Sequence, residues 1–345
     1  DIGAGRMKIA LVGCGGISSC HFAAIEKLKD KGVSLAAVCD IIEERAEKCA
    51  QKYGCKAYTD YDEMLEKESI DVVHICTPHY IHADMAAKAL QKNINVVLEK
   101  PCAVSEESLL KLQNAQKNSS AQIAVCFQNR YNPSVKFIKS LLDGGEYGNV
   151  LSARALVTWR RDKEYYDADP WRGTLKEECG GVLINQAIHT HDLFKYLSGK
   201  TTRSVDAKVS NFHLKDDIEV EDTASVYFTF DDGTRGVYFA TNAAGIGMEP
   251  LVDINCEKAT LRVEGGNVFE ISGGKIKLLF SDSDPLNNVG KREWGDSHSR
   301  LIEDFYEHIK SGEHFPIDSV EAGLVIKDLL AIYESSKLGK TVFLK

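Results

Sequence analysis

Short apolar runs separated by helical patterns fill the first third of the chain. Lys8 to Val12 (KIALV), Val33 to Cys39, Asp71 to Cys76, Ile94 to Leu98 and Ile123 to Phe127 are nearly unbroken hydrophobic stretches. Such runs mark strands covered on both faces. Between them the period lengthens. Ile17, Ala24, Ile25 and Leu28 fall on one helical face, a helix starts near Glu43, and another runs on through Leu90. Asp60-Tyr61-Asp62-Glu63 has the cap-x-x-Glu form of a helix start, and Ser105 caps a helix with Glu106 and Glu107 in its first turn. Strands alternating with helices over about 120 residues predict an α/β, doubly wound parallel sheet, and right-handed crossovers make the Rossmann arrangement the expected one.

The texture changes after Asn129-Arg130-Tyr131-Asn132-Pro133. A helix through Leu142 ends at Asp143-Gly144-Gly145. Leu151 to Trp159 then alternates as a sheet strand does, and residues 160–173 form a polar, aromatic loop. Gly180-Gly181 precedes a predicted helix from about Val182 to Leu197. Strand-like runs follow at 204–212, 223–230, 235–241, 251–256, 259–264, 267–272 and 275–280. Asp231-Asp232-Gly233 and Ser272-Gly273-Gly274 read as hairpin turns. Helices over 297–311 and 319–338 close the chain. This half reads as an antiparallel α+β domain. The expected division is a tag remnant at 1–6 ahead of Met7, a nucleotide-binding domain at 7–128 and a substrate-binding and oligomerisation domain at 129–345. The closing helices, 297–338, are placed to pack back toward the first domain. No internal repeat or low-complexity linker is visible.

Composition narrows the function classes. A chain of 345 residues exceeds one ordinary core, and 43% apolar content is that of a globular protein. Net charge is −9 without a basic block, which disfavours nucleic acid and anionic membrane as partners. No apolar run approaches the roughly 20 residues that span a bilayer, and the N-terminus lacks the order of a signal peptide. The ten cysteines include no C-x-x-C pair, so no metal site is expected and free thiols in a reducing cytoplasm are the simplest account.

Candidate chemistry begins at Gly13-Cys14-Gly15-Gly16-Ile17-Ser18, set between strand and helix. Gly13 permits a tight turn, and Gly15, Gly16 and Ile17 bring backbone amides toward a pyrophosphate at the helix N-terminus. The third glycine position holds Ser18, so the fingerprint is imperfect. Asp40 ends the second strand, where an acid binds the adenosine ribose hydroxyls and repels a 2′-phosphate. NAD is therefore favoured over NADP, with Arg45 the nearby residue that could reverse this. The competing role for Asp40 is a helix cap. Thr77-Pro78 ends another strand and, with His79 and His82 after it, is expected to lie against the cofactor, as are Glu99 and Lys100. Glu99-Lys100-Pro101 ends a fourth: proline cannot continue the ladder, so a lysine is delivered to the strand end where open parallel sheets bind ligands. A charge pair closing the strand is the alternative.

These features, with residues 180–192 (GGVLINQAIHTHD) and the closing Tyr333-Glu334-Ser335, occur in an order that resembles the glucose–fructose oxidoreductase/inositol dehydrogenase/MocA family. The resemblance spans nearly the whole chain. It implies a Rossmann domain plus a domain with a large open, mostly antiparallel sheet, and a homo-oligomer, dimer or tetramer, formed through that sheet. It also implies NAD(P)-linked hydride transfer at a secondary alcohol or ketone carbon of a sugar, sugar acid or cyclitol. Lys100 matches the family's catalytic lysine, His189 its catalytic histidine and Asp192 the acid after it. Where many members carry an acid four residues before the histidine, this chain has Asn185. An amide cannot accept a proton, so the proton route is expected through Lys100 and His189 alone.

Asn185, His189 and Asp192 are spaced i, i+4, i+7 and would share one helix face, expected to meet Lys100 around the nicotinamide. Asn185 would orient sugar hydroxyls, and Asp192 would fix the histidine tautomer or pair structurally. Lys100 is read either as the cation holding the hydroxyl oxygen or as the base, the latter opposed by the anion Glu99. Tyr131, Trp171 and Arg172 are further substrate candidates, within an aromatic and basic group that includes Trp159, Arg160, Arg161, Tyr165 and Tyr166. Aromatics stack on sugars and arginines fork onto carboxylates, although the loop equally suits packing on the sheet. His74 reads as a satisfied core residue; His191 lies off the Asn185–His189 face and could as well be exposed; His298 reads as a helix start, or as a residue that approaches the pocket from the second domain. Two other functions remain open on the sequence. One is an NAD-dependent glycosidase working by transient oxidation, for which Tyr166, Asp167 or His191 would supply the extra acid or base. The other is a non-catalytic NAD sensor.

Overall fold

The structure, a computed structural model, describes residues 6–282 and 297–344. Residues 1–5 of the tag-like segment fall outside it. The first unit runs to Gln128 and takes in a C-terminal stretch ending at Gly323. Its elements are β1 (Met7–Val12), α1 (Ser18–Lys27), β2 (Val33–Cys39), α2 (Glu43–Tyr53), β3 (Lys56–Tyr58), α3 (Tyr61–Lys67), β4 (Val72–Ile75), α4 (His82–Gln91), β5 (Asn95–Leu98), α5 (Glu106–Lys117) and β6 (Ile123–Val125). The six strands are parallel, in the order β3-β2-β1-β4-β5-β6. β1, β4, β5 and β6 are buried almost throughout, which is why they read as unbroken apolar runs. β3, an exposed edge strand led by Lys56, carries no such signal and was not foreseen.

The second unit takes residues 129–284 and 324–345. It contains α6 (Pro133–Asp143), β7 (Val150–Thr158), α7 (Lys163–Asp167), α8 (Ile188–Ser198), β8 (Thr202–Ser210), β9 (Thr223–Phe230), β10 (Arg235–Thr241), β11 (Leu251–Cys256), β12 (Thr260–Glu264), β13 (Asn267–Ser272) and β14 (Lys275–Ser281). α9 (Ser297–Ser311) belongs to the first unit, α10 (Ser319–Leu338) starts in the first and continues in the second, and β15 (Val342–Phe343) ends the chain in the second. The sheet has nine strands in the order β14-β13-β12-β11-β7-β10-β9-β8-β15, antiparallel except where β7 meets β10. α6 and α8 pack on one face. Every second residue of β9 and β10 is buried, as the alternation predicts, while Tyr227 and Val237 stand exposed on the other face.

One expected helix is shorter than its apolar pattern suggests. The helix expected from Val182 starts at Ile188. Val182, Leu183 and Ile184 are buried, but in an irregular turn laid over Glu221. All ten cysteines are free thiols. Among the described residues no helix is long and apolar enough to cross a membrane.

Candidate active site

In the first unit the strand order reverses between β1 and β4, and the loops leaving these two strands touch. Gly13 follows β1 with φ +88°, and a Cβ on it would lie 2.4 Å from the Cys76 carbonyl oxygen at the end of β4. No side chain fits there, and the positive φ suits glycine alone. Gly15 has open space where a Cβ would stand, so its backbone is approachable. Gly16 and Ile17 lead into α1, whose first turn carries no acid to repel an anion. Asp40, after β2, is buried. Its Oδ2 accepts the Cys14 amide at 2.8 Å and its Oδ1 the Ile42 amide at 2.9 Å. The carboxylate thus ties the glycine loop to β2, and each oxygen keeps a second lone pair for a ribose hydroxyl. Ile41, beside it, is 89% exposed and supplies no charge. A cradle of bare backbone with an acid at its rim fits a dinucleotide.

Thr77 and Pro78 lead from β4 into the turn before α4. His82, first in that helix, is buried with Nδ1 at 2.8 Å from the Pro101 carbonyl and Nε2 at 2.7 Å from that of Thr77. It stitches the loops after β4 and β5 together. Burial lowers its pKa while both carbonyls pull the other way.

Lys100 is the second residue past the end of β5 and is joined to Pro101 by a cis peptide. Glu99, between strand and lysine, turns inward. Its Oε1 lies 2.9 Å from His21 Nε2 and 3.0 Å from His298 Nε2, and its Oε2 accepts the Lys100 amide at 3.3 Å. His21 Nδ1 meets His74 Nδ1 at 2.8 Å, and His74 Nε2 meets the Tyr306 hydroxyl at 2.8 Å. One assignment of protons satisfies the whole line. An ionised Glu99 requires a proton on His21 Nε2, so His21 Nδ1 accepts from His74 Nδ1, and His74 Nε2 accepts from Tyr306. Both rings are then neutral, in keeping with burial, which lowers the pKa of His21 and lowers that of His74 well below the usual value. Burial would push the Glu99 carboxyl up, but the hydrogen bonds from His21 and His298 hold it well below the carboxylate range. His74 is thus a satisfied core residue, and His298 belongs to this buried line.

In the second unit His189 is the second residue of α8. The turn before it rests on Glu221, whose Oε2 accepts the Gly181 amide at 2.8 Å and whose Oε1 accepts the Leu183 amide at 3.1 Å and the Tyr333 hydroxyl at 2.9 Å. Backbone crosses backbone here: a Cβ on Gly181 would stand 1.8 Å from the Glu221 carbonyl oxygen. Asn185 lies in this turn, so the expected single helix face of Asn185, His189 and Asp192 does not form. The Asn185 amide instead donates to Glu178 Oε1 at 2.5 Å, and the Gly173 amide donates to Oε2. Asp192 accepts Arg130 in a fork, with Nε at 2.9 Å and Nη2 at 2.6 Å, and Arg130 stacks over Tyr196. His191 is fully buried against Asp328 at 3.1 Å, which Lys195 also approaches at 2.8 Å.

The aromatic and basic loop packs largely on itself. Arg172 donates to Asp169 at 2.9 Å and lies over the rings of Tyr165 and Trp171. Arg161 lies over Trp159 and Tyr165. Tyr131 is nearly buried beneath the Lys136 ammonium. The sequence reading passed over Glu178, Glu221, His21 and Tyr306. Glu178 stands in Lys176-Glu177-Glu178, which reads as a solvated charge run, and no spacing signals that this acid is buried.

Residues 7–127 match the oxidoreductase family with an NAD-binding Rossmann fold, and residues 135–262 match the GFO/IDH/MocA C-terminal domain. The inositol 2-dehydrogenase of Salmonella typhimurium (strain LT2) is 34% identical over 316 residues, covering 89% of this chain and 87% of that protein. The chain belongs to the GFO/IDH/MocA family of oxidoreductases. A second relative in that comparison, the glucose-6-phosphate 3-dehydrogenase of Bacillus subtilis, is 30% identical over 236 residues, 64% of this chain and 63% of that protein. The WlbA dehydrogenase of Bordetella pertussis, solved with NADH and UDP-GlcNAcA, superposes with a TM-score of 0.84 at 28% identity, covering 99% of both chains. As a member of this family the chain is an NAD-linked dehydrogenase acting on a CH–OH group.

Proposed function

We propose that the protein oxidises, or in reverse reduces, a secondary alcohol carbon of a sugar, sugar acid or cyclitol, with NAD preferred to NADP. The observation that carries the reading is the placing of Lys100: it leaves β5 directly after an acid that is buried, ionised and anchored by two histidines. A bound nicotinamide would accept or return the hydride. Gly13, Gly15, Gly16 and Ile17 would hold the pyrophosphate, Asp40 the adenosine ribose, and Thr77 and Pro78 the turn beside it. The Lys100 ammonium would hold the substrate oxygen and stabilise the alkoxide as it forms. The charge on Glu99, one residue away, favours Lys100 as a cation over Lys100 as the base. A ring nitrogen of His189 would take the proton. Asn185 would receive a neighbouring hydroxyl.

Relatives acting on inositol and on a sugar phosphate, and a structural neighbour bound to a nucleotide-linked sugar acid, support this substrate class. The glycosidase alternative gains nothing from the geometry. Tyr166 is bonded to Asn242, Asp167 to Lys163 and His191 to Asp328. Turnover of Lys100→Met and His189→Ala tests the assignment. Each is expected to lower kcat by about a hundredfold or more, the scale of a lost acid–base group, with the unfolding temperature unchanged. Wild-type turnover in both variants would remove the two residues from the mechanism.

A further inference from the structure

Glu178 is a fully buried acid whose two oxygens have different partners. The Gly173 amide occupies Oε2 and the Asn185 side chain occupies Oε1. Other groups facing it are Arg172 from the same loop, Tyr166 from α7, Glu221 from the segment before β9, Tyr333 from α10, and the neighbouring Cys179. Its carboxyl stands raised to about 7, the balance of several influences of which burial, pushing it up, is the largest. The Gly173 and Asn185 hydrogen bonds and Arg172 pull it down, and Glu221 pushes it further up. The departure from the family pattern at Asn185 therefore does not leave this turn without an acid, since a carboxyl stands within hydrogen-bond reach of the amide.

An ionised carboxylate only accepts hydrogen bonds. While Glu178 is ionised, the Asn185 amide must turn its NH2 toward Oε1 and its oxygen away. A protonated Oε1 donates instead, and the amide then gains by reversing, so that its NH2 points away. Resting on the proposed role of Asn185 in receiving a substrate hydroxyl, we propose that Glu178 is a positioning residue that sets the polarity of the Asn185 amide. Ionised, it makes Asn185 an acceptor matched to a substrate hydroxyl. Protonated, it makes Asn185 a donor, whose hydrogen bond a hydroxyl with its own lone pairs already engaged cannot accept. The substrate group at this position is thus a hydroxyl that donates, and its binding weakens as pH falls.

The test is the pH profile of KM and kcat for wild type, Glu178→Gln and Asn185→Ala, with infrared titration of the carboxyl in wild type and Asn185→Ala. Wild-type KM is expected to rise about tenfold per pH unit below a break near 7, as one proton requires, with kcat changed less than about threefold. Both variants should lose that rise while other pH limbs persist. A rise that survives in Glu178→Gln or Asn185→Ala overturns the proposal, as does one carried by kcat alone. The infrared measurement uses no turnover and stands if Glu178→Gln fails to fold. The protonated-carboxyl band should disappear as pH rises through about 7, and loss of the Asn185 donor should move that transition upward. A transition in the ordinary carboxylate range, or one unmoved in Asn185→Ala, overturns the coupling. An intact coupling in a protein that oxidises no sugar or cyclitol would sink the proposed function and leave the pair standing.

Discussion

Asp40 is bound at both oxygens by backbone amides, one on the glycine loop and one on its own side of β2. It shapes the loop that would receive the pyrophosphate and supplies charge where the ribose would lie. Asp40→Ser removes the charge and shortens the reach. Losing a charge-assisted hydrogen bond costs about 1.5–3 kcal/mol, or roughly 10- to 100-fold in affinity. The expected outcome is a fall of that size in kcat/KM for NAD, with NADP unchanged or improved because the repulsion is gone. Comparing kcat/KM for the two cofactors checks it, and an unchanged preference would show that Asp40 only braces the loop. At this scale Gly13, Asp40 and Lys100 were legible because each is placed by the few residues around it: strand, then turn residue, then helix or proline. The Glu99 line was not. His298 meets Glu99 from 199 positions away and Tyr306 meets His74 from 232. No local pattern encodes a pairing over such a separation.

Elements were legible where burial is two-sided or strictly alternating. β4 and β5 are wholly or almost wholly buried, and β9 buries every second residue, so period and burial agree. The misread stretch is the turn at 182–187. Its apolar residues suggest a helix because they are buried, but the Glu221 carboxylate takes the Gly181 and Leu183 amides and the Glu221 carbonyl takes that of Val182. A helix leaves its first amides unpaired in any case; the ladder fails further on, where the Ala187 amide bonds the Val182 carbonyl five residues back instead of four. The close crossing at Gly181 makes this testable. A methyl group there would need the Glu221 backbone to move by more than an ångström to reach ordinary contact. Gly181→Ala is expected to cost at least about 3 kcal/mol, the range of severe overpacking. It should also lower kcat, because the same turn leads into His189. Denaturant unfolding checks the first and turnover the second, and an alanine tolerated at wild-type stability would contradict the crossing.

The first unit carries a parallel nucleotide-binding sheet with Lys100 just past the end of β5, and the second carries a larger mixed sheet with His189 at the start of α8. The fold class and the family were both readable, because the motifs that carry them lie at strand ends spread along most of the length. Asn185 marks the limit of that reading. Its identity places an amide, not an acid, four residues before His189, while Glu178 beside it emerges only from the folded turn. The central claim, NAD-linked oxidation of a CH–OH carbon in a sugar-like ring, meets its most direct test in nicotinamide absorbance. The measurement takes the purified protein with NAD and a panel of free sugars, uronic acids, inositols and their nucleotide-linked forms. The account predicts NADH formed in proportion to an oxidised product for at least one ring alcohol, and abolished in Lys100→Met. Bond cleavage without net NADH, or no turnover across the panel with NAD bound, would contradict it.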